Sequence, residues 1–344
     1  MRGFLVVNEF LTSEKFNEIY VMFLESAKKL DINLEIIKTG DILHNIDAVK
    51  KDLPDFILFY DKDVLLARIF EACKVDVFNS SYAIETCDNK AKTLIALQSH
   101  GFKVPKTYIA PLAFENTGYN NLNFLIKITK ELGFPCVIKP LYGSFGKDIF
   151  LANSYGEVVD FVESLGDKPF MVQEFIKSSK GFDVRINVVD GNVVSAIMRK
   201  NENGDFRSNI TNGGKAYPYS PNCDFADMAT GACGALRIDF AGVDLLFGEN
   251  GEPIICEINS NPHFKSTFDC TGLDMSFDIL EYIKKTVGKR HRVFGPPFRI
   301  LYKESKDDEI RPFSDHERQC LEMENNIKKE RQRKEERKRQ KGEN

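Results

Sequence analysis

The chain has 344 residues, beyond the ~250–300 at which one hydrophobic core usually stops growing, so more than one packed module is expected. Hydrophobic residues make up 42% and charged residues 28%, and the net charge of -4 excludes a body built to coat nucleic acid. No apolar run approaches the ~18 residues of a membrane span, Phe4–Val7 is too short for a signal-peptide core, and eight singly scattered cysteines imply reduced, mostly buried thiols in a cytoplasmic setting.

In chain order, Phe4–Val7 reads as a short buried strand. The run from Ser13 to Leu30 has helical spacing at Phe16, Ile19, Tyr20, Phe23, Leu24 and Ala27. Asn33–Ile37 and Asp55–Tyr60 are further strands, Val64–Cys73 a second helix, and Val75–Asn79 a fourth strand. Strands alternating with helices at this spacing predict an open, mostly parallel α/β sheet over residues 1–80. No glycine-rich turn follows its first strand, so a dinucleotide fingerprint is absent. A helix carrying Lys90, Leu94 and Leu97 ends at Gly101, and Pro105 blocks its continuation. Residues 81–170 then hold the strand Cys136–Lys139, the loop Gly143-Ser144-Phe145-Gly146-Lys147 and the strands Ile149–Leu151 and Phe170–Gln173. From 171 to 288, Asp183–Val189 and Val193–Arg199 flank Asp190-Gly191-Asn192, a strong hairpin signal. Gly242–Phe247 and Pro253–Asn259 form a second antiparallel pair, in α+β style. Residues 289–344 are a linker and a charged tail. A Ser314/Glu317 capping box opens a stretch with 10 Lys/Arg and 8 Asp/Glu, which reads as a solvated, fraying helix with an open option of partner contact.

The residues that carry chemistry cluster in the middle of the chain. Glu257 and Asn259, two apart on a strand, project their oxygens to one face, and Asp244 can add a carboxylate from the preceding strand. Such oxygens suit Mg²⁺ that also binds substrate phosphates, although exposed strand residues would give the same pattern. Lys139 precedes Gly143, Ser144 and Gly146, a loop whose backbone N–H groups can approach phosphate oxygens. Asp183, Arg185 and Asn187 share one face of the hairpin, and Arg199 ends its return strand. Guanidinium forks match phosphate and carboxylate. The loop Phe206-Arg207-Ser208-Asn209 with Gly213-Gly214 is longer than a hairpin turn needs. The five histidines are isolated, and no Ser/His/Asp or Cys/His pairing stands out.

Taken together, Asn79-Ser80, Lys90, Lys139-Pro140, Gly143-Ser144-x-Gly146, Gln173-Glu174-Phe175-Ile176, Asp183-x-Arg185, Met198-Arg199, Phe206-Arg207-Ser208-Asn209, Gly242-Val243-Asp244 and Glu257-x-Asn259 resemble, in order, the RimK-like carboxylate–amine ligases of the ATP-grasp superfamily. The resemblance spans residues 1–288. It implies two α+β lobes clamping ATP behind a small α/β domain, with ATP and two Mg²⁺ ions (or Mn²⁺) as cofactors. It assigns the nucleotide to Lys90, Lys139, Gly143, Ser144, Gly146, Gln173, Glu174, Phe175, Ile176, Asp183, Arg207, Ser208 and Asn209. It assigns the metal to Asp244, Glu257 and Asn259, and stabilisation of the intermediate to Arg185 and Arg199. The implied reaction joins a small-molecule or peptide carboxylate, glutamate among them, to an amine through an acylphosphate, releasing ADP and phosphate. A peptide-modifying or glutathione-synthetase-like ligase is the alternative of the same fold, and a nucleotide-binding regulatory protein without turnover is the rival of another class. No membrane or nucleic-acid partner is expected, and homo-oligomerisation is left open. Two departures stand out: Asn89 where the family has Asp before its lysine, and Asn261-Pro262-His263-Phe264 after the metal strand, which bears on acceptor specificity.

Overall fold

Short apolar runs build the first sheet of the computed structural model, which describes residues 1–143, 146 and 148–289. The strands are β1 (Arg2–Val7), β2 (Asn33–Lys38), β3 (Phe56–Tyr60) and β4 (Asp76–Phe78), all parallel, in the order β2-β1-β3-β4. Parallel neighbours require crossovers. These are α1 (Glu14–Lys29), the short α2 (Ile46–Val49) and α3 (Val64–Ala72). Every residue of β3 is buried, as expected where both faces of a sheet are covered.

The helix expected to carry Lys90, Leu94 and Leu97 is α5 (Lys90–Ser99), and a separate helix, α4 (Ser81–Asp88), precedes it. Asn89 adopts an extended backbone between them, and its Oδ1 accepts from the N–H groups of Ala91 and Lys92. This side chain caps α5 and fixes where Lys90 begins. Next come β5 (Thr107–Ile109), α6 (Asn123–Leu132), β6 (Cys136–Pro140), β7 (Phe150–Ala152), α7 (Tyr155–Leu165) and β8 (Phe170–Glu174). They form an antiparallel sheet, β5-β8-β6-β7, whose apolar face packs Cys136, Ile138, Phe170 and Val172 against Leu125 and Ile128 of α6 and Val158 and Val162 of α7.

The third sheet holds β9 (Phe182–Val189), β10 (Asn192–Asn201), β11 (Gly214–Pro218), β12 (Phe240–Phe247) and β13 (Pro253–Asn259), in the antiparallel order β11-β10-β9-β12-β13. Asp190 and Gly191, both at positive φ, make the two-residue turn between β9 and β10 that the Asp-Gly signal predicts. Val184, Ile186 and Val188 pack on Phe225, Ala229 and Leu236 of α8 (Cys223–Leu236), leaving Asp183, Arg185 and Asn187 for the opposite face.

The remaining helices are α9 (Lys265–Thr271) and α10 (Met275–Thr286). α10 packs on α1, so Ile279, Leu280 and Ile283 complete the core around Leu5, Phe23, Phe56 and Leu58. Ser26 and Ser276 hydroxyls meet at 2.7 Å inside that contact. Asn79, fully buried, ties the sheets together. Its Nδ2 donates to the carbonyls of Phe240 (2.9 Å) and Ser260 (2.8 Å), and its Oδ1 accepts from the N–H groups of Asp239 and Phe240. Phe264 is also core, 1% exposed and edge-on to Phe23.

No helix among the described residues is long and apolar enough to cross a membrane, and the cysteines described there are free thiols. Ser144 and the charged tail with its Ser314/Glu317 capping box lie outside the described residues.

Candidate active site

Strand register sets the polar face of the third sheet. Across β10 and β9, Arg199 lies opposite Asp183; two residues along, Arg185 on β9 lies opposite Asp244 on β12, and Asp244 lies opposite Glu257 on β13. Directly opposed side chains on one sheet face are within contact, and here they pair as charges. Arg199 forks onto Asp183, with Nε to Oδ1 at 2.8 Å. Arg185 forks onto Asp244, with Nη2 to Oδ2 at 2.7 Å. Arg199 also reaches Asp244 Oδ2 at 3.0 Å. Gly242 makes room for this arrangement, since a Cβ there would meet Arg185 Cδ at 3.0 Å and Pro262 at 2.9 Å. Burial works against the Asp244 charge, yet the two guanidiniums hold its carboxyl below the usual range.

The β12–β13 pairing slips by one residue between Asp244 and Leu245, leaving Cys256 as the extra residue of a bulge. Bulges bend a strand and re-aim its side chains. Immediately after this one, Glu257 faces Lys90, whose Nζ stands 3.7 Å from Oε1. Lys90 Nζ also donates to the Gly143 carbonyl at 2.7 Å, joining the glycine loop to the end of β13. Burial lowers the Lys90 ammonium below the ordinary lysine value against the pull of Glu257, and the charge of Lys139 acts in the same direction as burial. Lys139 itself is buried on β6. At the other side of the loop, Arg207 Nη1 donates to the Gly146 carbonyl at 2.9 Å while Asp205 holds the same guanidinium. Gly146, at φ 67°, lies so close to the Asn209 amide that a Cβ would stand 2.8 Å from its Oδ1. Ser208 is buried.

These groups surround a cavity of about 730 Å³, within the range of small-molecule sites. Lys90, Gly143, Arg185, Arg199, Asn209, Glu257 and Asn259 all line it. Glu257 and Asn259 share a face of β13 as expected. Asn259 spends its Nδ2 on the Gly242 carbonyl at 3.4 Å, so its Oδ1 and the Glu257 carboxylate are hard oxygen donors that fit a divalent cation. Asp244, expected beside them, instead gives its oxygens to Arg185 and Arg199.

Other expectations are also redirected. Asp183, read as a nucleotide contact, is committed to Arg199, and so holds that guanidinium in place. Gln173 is buried in the sheet and donates to Thr107 Oγ1 at 2.7 Å, so no nucleotide contact is assigned to its side chain. Glu174 bonds the Lys106 backbone in both directions, and Phe175 meets Phe206 edge-on, leaving the chain at Phe175 and Ile176 to connect the second and third sheets.

Sequence reasoning missed the share of the cavity drawn from the first sheet: Asn8, Leu11 and Lys15 after β1, and Tyr60, Asp61 and Lys62 after β3. His263, singled out in the segment after the metal strand, lines the same cavity; its Nε2 meets the Lys15 carbonyl at 2.9 Å, and burial lowers its imidazole to about 4. The available signal was positional. Ligands of open α/β sheets bind beyond the carboxyl ends of strands where the strand order reverses, and β1 and β3 flank that point.

The profile of the RimK-like ATP-grasp domain matches residues 87–283. A probable alpha-L-glutamate ligase of Trichodesmium erythraeum (strain IMS101) is 33% identical over 280 residues, covering 80% of this chain and 90% of the relative. Among solved structures, a D-alanine–D-alanine ligase from Bacillus anthracis complexed with ATP superposes with a TM-score of 0.65 at 17% identity, over 83% of this chain and 97% of that one. A RimK domain protein from Sphaerobacter thermophilus gives 0.65 at 16% identity, over 82% and 99%.

Proposed function

The chain belongs to the RimK-like ATP-grasp family and is an ATP-dependent carbon–nitrogen ligase, and we propose that it joins a carboxylate to an amine through an acylphosphate. The observation that carries this reading is Lys90, whose ammonium meets both the glycine-loop carbonyl and Glu257 on the wall of a cavity that also receives Arg185 and Arg199.

In this reading ATP lies between the second and third sheets, over Lys139 and Lys90, with the backbone at Phe175 and Ile176 against the adenine. Glu257 and Asn259, with Asp244 beside them, would hold Mg²⁺, and the ion would supply charge neutralisation on the phosphates. A substrate carboxylate oxygen attacks the γ-phosphorus, the bond to ADP breaks, and an acylphosphate forms. The amine nitrogen then bonds to the acyl carbon, inorganic phosphate leaves, and the amine gives up a proton. No side-chain nucleophile is required. Arg185 and Arg199 stabilise the anionic groups, and the paired lysines and guanidiniums favour charge spread over the transferring phosphoryl oxygens. The loop held by Lys90 and Arg207 excludes water, which would otherwise hydrolyse the intermediate. The acyl donor is an amino acid or peptide of the glutamate kind, as the relatives' name suggests.

The test is ATP-dependent hydroxamate formation, with hydroxylamine replacing the amine and a panel of amino acids, short peptides and acidic metabolites as donors. A hydroxamate from one donor, matched by ADP and absent in Lys139→Ala and Glu257→Ala, supports the reading. Product accompanied by AMP and pyrophosphate overturns it.

The departure at Asn89 does not favour a protein without turnover. Its amide caps α5 and donates to the Tyr142 hydroxyl at 3.0 Å, which is a positioning task an aspartate would share only in part.

A further inference from the structure

Asp61 directly follows β3 and lines the cavity, yet it is only 6% exposed. Asn8 Nδ2 donates to its two oxygens at 3.2 and 3.1 Å, and the Lys62 backbone N–H donates to Oδ1. Among the described residues, no lysine, arginine or histidine pairs with it. The charged side chains next to it in the chain are committed elsewhere: Lys62 Nζ pairs with Asp88, and Asp63 Oδ1 accepts from the Leu66 N–H at the start of α3. Burial pushes the Asp61 carboxyl above the usual carboxylate range, against the pull of the Lys62 and Asn8 N–H groups. A buried carboxylate held only by neutral donors is costly unless a cation arrives to meet it.

The groups around Asp61 also have unspent hydrogen-bonding capacity. Asn261 lines the same cavity and donates Nδ2 to the Asp61 carbonyl at 2.8 Å, while its buried Oδ1 has no partner among the described residues. Tyr20, itself 6% exposed, packs edge-on against Tyr60, the residue before Asp61, and its hydroxyl has no partner among them either. The Tyr60 hydroxyl, by contrast, is spent on the Pro262 carbonyl. An ammonium carries donors and no acceptor, so it matches a carboxylate bordered by unspent oxygens.

We propose that Asp61 is the counter-ion of a substrate ammonium, placed by the first sheet in the cavity that Lys90 and Glu257 also line. The inference rests on the ligase reading for its substrates and adds a specificity determinant to it. The ammonium belongs either to the amine that is joined or to an amino-acid donor, and the experiment separates these two sources.

Calorimetry compares L-glutamate with glutarate, which lacks the ammonium, for binding to the Mg-AMPPNP complex of wild type, Asp61→Asn and Asp61→Ser. Losing one charge-assisted contact corresponds to roughly a 10- to 100-fold effect. The wild-type preference for L-glutamate falls by that factor in both variants, whereas glutarate binding is retained. An unchanged preference, or an equal loss on both ligands, overturns the assignment. Asp61→Asn keeps an oxygen for Asn8 and Lys62 and removes the uncompensated charge, so its Tm is at or above that of wild type. A fall in Tm with the preference unchanged shows a carboxylate that serves the fold alone, and likewise overturns it. Kinetics then name the source. A reduced ratio of hydroxamate from L-glutamate to hydroxamate from glutarate places the donor's ammonium at Asp61. A reduced rate with L-glutamate as the amine, relative to hydroxylamine on the same donor, places the acceptor's there. If wild type makes no hydroxamate from any carboxylate, the ligase reading fails, and the calorimetric preference still decides the ammonium site.

Discussion

Removing the Asp183 carboxylate tests the electrostatic organisation of the site. The side chains of Asp183 and Arg199 are 8% and 6% exposed, and their fork is made across β9 and β10. Asp183→Ala leaves the Arg199 guanidinium buried with Asp244 alone, and Asp244 already receives Arg185. Breaking one partner of a buried pair costs about 3–5 kcal/mol, because the remaining charge stays desolvated. For a folded body of this size that corresponds to a fall of roughly 5–8 °C in Tm. Replacing both partners with apolar residues, as in Asp183→Leu with Arg199→Met, removes the uncompensated charge and should recover most of the loss. Thermal unfolding followed by circular dichroism at pH 7 reads both effects, and hydroxamate formation reads function. The single variant is destabilised, the double variant regains stability, and both lose turnover because Arg199 is displaced or absent. A single variant within about 1 kcal/mol of wild type would refute the reasoning, since it would mean that the fork is solvated and holds nothing in place.

His263 gives a pH signature. Its folded value is lowered to about 4 by burial, so the unfolded chain binds more protons between that value and the ordinary 6.5. The contribution is therefore fully present above pH 6.5 and is lost as the pH falls towards 4, for a total of about 3 kcal/mol. His263→Gln should flatten the stability profile across that window, as urea titrations at several pH values would reveal; a slope as steep as that of wild type would contradict the assignment. Asn89→Ala removes the cap of α5 and should cost about 1–2 kcal/mol while raising the KM for ATP by displacing Lys90. Asn89→Asp keeps the acceptor and should retain most of both, so equal damage in the two variants would argue against the capping role.

The elements were legible where hydrophobic periodicity decides them. The four parallel strands, the Asp-Gly hairpin and the β12–β13 pair follow from alternation and turn chemistry, which are local. The break between α4 and α5 was not, because the residues on both sides are helix-compatible and only the Asn89 cap separates them. The candidate site divides in the same way. Glu257 and Asn259 face one way because strands have period two, and this can be read directly. Which arginine meets which aspartate depends on the register of β10, β9 and β12, and a sequence does not state the register that brings Arg185 and Asp244 together from 59 positions apart. For that reason the guanidinium partners of Asp244 were not legible beside its expected role as a metal ligand. Lys15 and Asp61 were invisible for a related reason. They follow different strands of one sheet, and only the fold carries them to the cavity that β13 ends in.

The central claim is that the substrate carboxylate itself attacks ATP, and oxygen tracing tests it most directly. The donor identified by the hydroxamate screen is prepared with ¹⁸O in its carboxylate and incubated with the enzyme, Mg-ATP and the amine, and the released phosphate is analysed by mass spectrometry. An acylphosphate mechanism transfers one labelled oxygen to inorganic phosphate for each amide formed. Unlabelled phosphate together with ¹⁸O in AMP, or amide formation without any transfer of label, would contradict it.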